Sequence, residues 1–195
     1  MISKIFSPHA QALSVFIIAF LITSIGIRIA AAHEYPYRYY SSTAKLKDSG
    51  TNYGAYIRDA AFAYDSTDLT VSSVTSGGGF GYITYVQGNY GASGWIAKAI
   101  GYNQYNEPCF DASLQWTGKC NSSDRKVHYG TISLDLQNKE FIDNNTRYIM
   151  RHEAGHIFGM THGPCSEVSV MVPTSCSTLY GGLQTHDKNF INANY

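Results

Sequence analysis

The segment HEAGHIFGMTH, residues 152–162, constrains this chain more than any other. It sets three histidines, one glutamate and two glycines at fixed offsets within eleven positions. On an α-helix, positions four apart lie one turn apart on the same face, so His152 and His156 present their imidazoles to one point in space. Imidazole nitrogen binds zinc at about 2.0–2.1 Å. Glu153 directly follows the first histidine, so its carboxylate projects beside such a metal rather than onto it, which suits a general base acting on water. Gly159 lies three residues past His156 and is free to adopt positive φ, end the helix and turn His162 back as a third nitrogen ligand. Three protein ligands leave the fourth position of zinc open, the mark of a catalytic rather than a structural site. The competing reading, histidines that merely decorate a helix, requires five specified residues to fall at these offsets by chance.

The 195 residues carry a formal net charge of zero and only 14% charged residues. No basic stripe or acidic block points to nucleic acid or to a solvating tail. Residues 1–32 read as a signal peptide: MISKIFSPHA has a lysine and no acid, 12–27 is uncharged and mostly apolar, and AAA at 30–32 offers small residues to a signal peptidase. An uncleaved N-terminal anchor is the alternative. Cleavage after Ala32 starts the mature chain at His33, leaving 33–195 as one domain outside the cell and off the membrane. All four cysteines, Cys109, Cys120, Cys165 and Cys176, fall in that exported part. Four cysteines permit three pairings; the two sequence-local ones, Cys109–Cys120 and Cys165–Cys176, are favoured, and the Cys-x-x-Cys spacing of a zinc site is absent.

Along the mature chain, YPYRYYSS (35–42) reads as a first strand, and 53–64 as a helix with Thr51 or Asn52 at its cap. The runs 68–76 and 80–88, separated by GGG, fit strand–turn–strand. SGWIAKAIGYN fits a strand or a short helical turn equally, and 103–126 is an irregular loop. Within 127–138, Ile132, Leu134 and Leu136 alternate with Thr131, Ser133 and Asp135, the pattern of a half-buried strand. The best helix spans 144–160 with Thr146 as cap, and Thr185 caps a last helix over 185–195. His33, His128 and His186 lie off the motif and are expected at the surface. Asp187 sits in the first turn of the last helix and complements its dipole.

HEAGHIFGMTH resembles the H-E-x-x-H-x-x-G-x-x-H zinc signature of the metzincin metalloproteases. SVMVP, 169–173, is similar to the Met-turn of that family, and its Met-x-Pro is similar to the matrixin and adamalysin branches. Pro173 stands where other branches carry a tyrosine, so no tyrosine ligand is implied. The resemblance implies an α+β fold, a zincin-like catalytic domain with a twisted mixed sheet, an active-site helix and a C-terminal helix. It implies a secreted zinc endopeptidase, with His152, His156 and His162 on zinc, Glu153 as general base and Met171 as an apolar floor. The substrate would be a protein or peptide bound extended along an edge strand, with 80–88 and 130–136 as candidates, and residues 172–183 would wall the pocket just past the cut bond. It also opens a second role for Asp187, receiving a new N-terminal amine. The early mature residues contain no cysteine, so no cysteine-switch latency is expected. Calcium is left open, and a monomer is expected. Two other readings are a secreted binding protein that keeps fold and metal, and a zinc hydrolase of something other than peptides.

Overall fold

The computed structural model of the protein describes residues 37–109, 117, 119–120 and 126–195. The expected signal segment and His33 lie outside the described residues. In chain order the elements are β1 (Arg38–Tyr39), β2 (Thr43–Asp48), α1 (Gly54–Asp65), β3 (Thr70–Val74), β4 (Tyr82–Gly88), β5 (Ala97–Tyr102), β6 (Lys126–Val127), β7 (Tyr129–Asp135), a 3-10 turn, α2 (Lys139–Asn144), α3 (Thr146–Ile157) and α4 (Thr185–Asn194). No helix among the described residues is long and apolar enough to cross a membrane.

Five strands form one mixed sheet in the order β3-β2-β4-β7-β5. The first four run parallel, and β5 closes one edge antiparallel to β7. One face of the sheet is buried, and the strands show why. In β2, Ala44 and Leu46 are buried while Lys45 and Lys47 turn away; Ile83 and Tyr85 in β4 and Ile132 and Leu134 in β7 repeat the alternation. This period of two is what a sheet covered on one side requires. Helix α1 brings Ile57, Ala60, Ala61 and Tyr64 onto that buried face, and α3 packs beside it. The result is the expected α+β class with a mixed sheet.

Several expectations are corrected. Among the described residues of YPYRYYSS, Arg38–Tyr39 form the two-residue β1, paired with β6; the first strand of the main sheet is TAKLKD. Tyr37 of that run serves another purpose: it is buried and donates to the carbonyl of His156 at 2.9 Å. The strand–turn–strand expected over 68–88 is present as β3 and β4, which do not pair with each other because both lie parallel on β2. Their stagger explains the short link: Val74 pairs with Lys47 and Tyr82 with Lys45, so the chain crosses over β2 with little return travel. The segment that fitted strand or helix is a strand, β5, and it is an edge. The candidate edges 80–88 and 130–136 are β4 and β7, both interior.

Capping differs too. Tyr53 occupies the N-cap of α1, while the Thr51 hydroxyl accepts from the Tyr53 amide and the Asn52 amide donates to Gln87. Thr146 is the first residue of α3 rather than its cap, because a helix not foreseen in the sequence, α2, runs directly into it; the Thr146 hydroxyl donates to Ile142 O at 2.7 Å. Gln184, not Thr185, caps α4, in a capping box with Asp187. Both local disulfides are present, Cys109–Cys120 and Cys165–Cys176, with Cα–Cα separations of 5.2 and 5.3 Å.

Candidate metal centre

Helix α3 carries His152 and His156 one turn apart, and both are nearly inaccessible. The helix ends at Ile157, and Gly159 follows with φ +92°. A side chain there is excluded twice over: by the dihedral, and by Tyr37 O, which would lie 2.8 Å from a Cβ. The turn returns His162 to the helix face, as the sequence predicts. His162 Nε2 lies 3.0 Å from His152 Nε2, which in turn lies 3.2 Å from His156 Nε2. Two nitrogens on one tetrahedral zinc ion are about 3.3 Å apart, given the Zn–N bond length. The spacing fits a single ion.

Hydrogen bonding supports the same conclusion. Nδ1 of His152 lies 2.9 Å from Val170 O, and Nδ1 of His156 lies 2.9 Å from Met160 O. A carbonyl only accepts, so both Nδ1 atoms carry the proton and both Nε2 atoms are bare in the neutral ring. Burial lowers the pKa of His152 to about 3 and that of His156 well below its ordinary value, which keeps both rings neutral. Two bare lone pairs thus face each other at 3.2 Å in a buried site. A cation at their focus relieves that repulsion, and the donor set fits zinc.

Glu153 shares the cleft and is only 8% exposed. Its pKa is pushed up to about 8 by burial, opposed by a hydrogen bond from the Ala99 amide of β5. The cleft encloses about 300 Å³ between α3 and the edge strand, with Trp95, Tyr148 and Pro173 in its walls. Met171 is buried against the middle of the histidine helix: a Cβ on Gly155 would lie 2.5 Å from its sulfur. Only glycine admits that approach.

Two carboxylates are more deeply buried and bonded than the sequence suggests. Asp187 is wholly buried, and its carboxylate accepts from Ser169 Oγ at 2.5 Å, the Val170 amide at 2.9 Å and the Gln184 amide at 2.7 Å. It therefore joins α4 to the turn whose Val170 carbonyl orients His152, beyond complementing a dipole. The signal was its place three residues after Gln184, the far end of a capping box. Asp135, assigned by alternation to the polar face, is also fully buried. It ends β7, where alternation stops, and the hydrogen bond from Ser93 lowers its pKa against the effect of burial. Of the remaining histidines, His186 is partly exposed and 3.3 Å from Glu167, and His128 is partly buried and stacks on Tyr40.

No protein-family model and no curated protein matches the chain. Solved structures do. The high choriolytic enzyme 1, a hatching enzyme zinc-protease from Oryzias latipes, aligns with TM-score 0.44 and 12% identity over 80% of this chain and 92% of its own. Two structures of myroilysin align with TM-scores of 0.43 and 0.44 and identities of 13% and 14%, covering 85% and 86% of this chain and 86% and 84% of theirs. At this distance the functional reading rests on the geometry of the site.

Proposed function

We propose that the chain is a secreted, zinc-dependent endopeptidase of the metzincin type, matrixin-like in its Met-x-Pro turn. The observation that carries this reading is the convergence of three imidazole nitrogens, two of them with their Nδ1 protons committed elsewhere, beside a buried glutamate in an open cleft. His152, His156 and His162 would hold zinc, which when bound would lower the pKa of a water molecule to about 7 and polarise a carbonyl.

The chain's own residues supply the rest. Glu153 takes the proton of the attacking water and returns it to the departing amine. Burial raises the pKa of Glu153 in the metal-free site, and a bound cation would oppose that shift and keep the carboxylate ionised to accept a proton. The peptide lies extended along β5, the edge that borders the cleft. Pro173 and Thr174 begin the wall, assigned to residues 172–183, that receives the side chain past the cut bond, and the Cys165–Cys176 disulfide stiffens it. Two disulfides suit an oxidising exterior, and residues 1–32 would direct the chain there.

A binding protein that merely keeps the metal has no use for a buried carboxylate beside it, which is why the enzymatic reading is preferred. Incubating the secreted protein with casein and a peptide library, with and without a chelator, tests the proposal. Chelator-sensitive cuts at peptide bonds are expected. Cleavage indifferent to chelation, or chelator-sensitive hydrolysis of non-peptide substrates alone, would overturn it.

A further inference from the structure

The cleft has an aromatic wall that the chemistry above does not use. Trp95 lines it, and its ring lies 5.0 Å from that of Tyr90 at an angle of 43°. Tyr90 is 44% exposed and rests on Gly88, where a Cβ would come within 3.1 Å of its ring. Exposed rings alone mean little, but two observations distinguish this pair.

The first is how the pair is held. Loop 89–96 is anchored from below by the buried carboxylate of Asp135, which accepts from Ser93 Oγ at 2.5 Å and from the Tyr90 amide at 3.3 Å. The Trp95 carbonyl accepts from Asn138 Nδ2 at 3.0 Å, and Ser93 Oγ accepts from the Trp95 amide at 3.4 Å. Rings fixed before a ligand arrives lose less entropy when it binds.

The second is continuity with the site. The Ile96 carbonyl accepts from the Asp135 amide, so residues 96, 98 and 100 turn their polar groups to β7. Those of Ala97 and Ala99 face the open edge, and the Ala99 amide there reaches Glu153. Trp95 therefore stands at the start of the strand edge that leads to the reacting centre.

We propose that Tyr90 and Trp95 form a specificity shelf for a large apolar or aromatic side chain on the C-terminal side of the cut bond. The proposal rests on the peptidase reading. A peptide that adds to β5 antiparallel, the better-bonded sense, runs its C-terminal portion toward Trp95. Trp95 precedes Ala99 by four residues, roughly 13 Å of extended chain, so the side chain it meets is about three to four residues past the cut. A tilted pair of rings offers faces and edges to a third ring or a branched side chain.

The test is a peptide series with Trp, Phe, Leu, Ala or Asp placed two to five positions beyond the cut. It is read as kcat/KM on the wild-type chain, Trp95→Ala and Trp95→Phe. Affinity is read in parallel on zinc-loaded Glu153→Gln, with and without Trp95→Ala. The wild type should favour an aromatic over alanine at the third or fourth position by about tenfold, mostly through KM. Trp95→Ala should reduce that ratio below about twofold in both assays, and Trp95→Phe should retain most of it. Zinc content and the unfolding midpoint check that each variant folds. A ratio indifferent to Trp95→Ala, or a change confined to positions before the cut, would overturn the shelf. Absence of cleavage by the wild type would instead sink the peptidase reading, because the affinity ratio still reports on the shelf.

Discussion

The Nδ1 protons of His152 and His156 are committed to the carbonyls of Val170 and Met160, so the tautomer each ring needs as a ligand is set by the backbone before any metal arrives. Burial, which lowers the pKa of these rings and raises that of Glu153 to about 8, makes the metal-free fold sensitive to pH in both directions. The histidines have folded pKa values below their unfolded value of about 6.5. The unfolded chain then binds more protons below that pH, and stability falls as pH drops from 6.5 toward 3. Glu153 has the opposite sign: its folded pKa is raised, so its contribution is lost as pH climbs from about 4.5 to about 8. Below pH 6.5 the three histidines, including His162 with its lowered pKa, outweigh the single glutamate. Chelated protein should therefore be most stable near pH 6.5 and lose stability on both sides. Denaturant unfolding at a series of pH values measures this; stability rising steadily between pH 6.5 and 8 would contradict it.

At the scale of elements, α3 and the last helix act on the site together through the turn at 169–171. Asp187 on α4 holds the Val170 amide, and the Val170 carbonyl holds His152. Asp187→Ala leaves the Ser169 hydroxyl and the amides of Val170 and Gln184 without that acceptor, at a cost of about 3 kcal/mol. It should also weaken zinc binding about tenfold or more, as loss of outer partners of a ligand does. Unfolding midpoints and zinc titrations of the variant report both effects, and unchanged zinc affinity would detach the last helix from the site. Much of this architecture was legible in the sequence because it is local. The i, i+4 pair, the glycine turn and the two short disulfide loops each span a dozen residues or fewer. The position of β5 at the sheet edge was not legible, since AKAIGY has no strong alternation and which strand lies outermost depends on distant partners. Asp135 was misread for a related reason: period-two alternation places a residue on a face only while the strand continues, and β7 ends there. Thr146 and Thr185 have cap chemistry, but the neighbouring α2 and Gln184 claim those positions.

At the scale of the whole molecule, a sheet covered on one side leaves its edge strand facing the histidine-bearing helix, with the cleft between them. The backbone that would receive a peptide belongs to β5, the nitrogens that would hold zinc belong to α3 and the turn after it, and the aromatic shelf belongs to the loop before β5. The central claim is that Glu153 moves protons at a zinc site held by three histidines, and Glu153→Gln separates those two functions. The measurement is peptide cleavage by zinc-loaded wild type and Glu153→Gln, with bound zinc quantified in both. The expected result is one zinc per chain in each protein and a loss of kcat/KM of about 10³-fold or more in the variant, within the range of general acid–base catalysis. A zinc-loaded Glu153→Gln that cuts peptides at the wild-type rate would contradict the account.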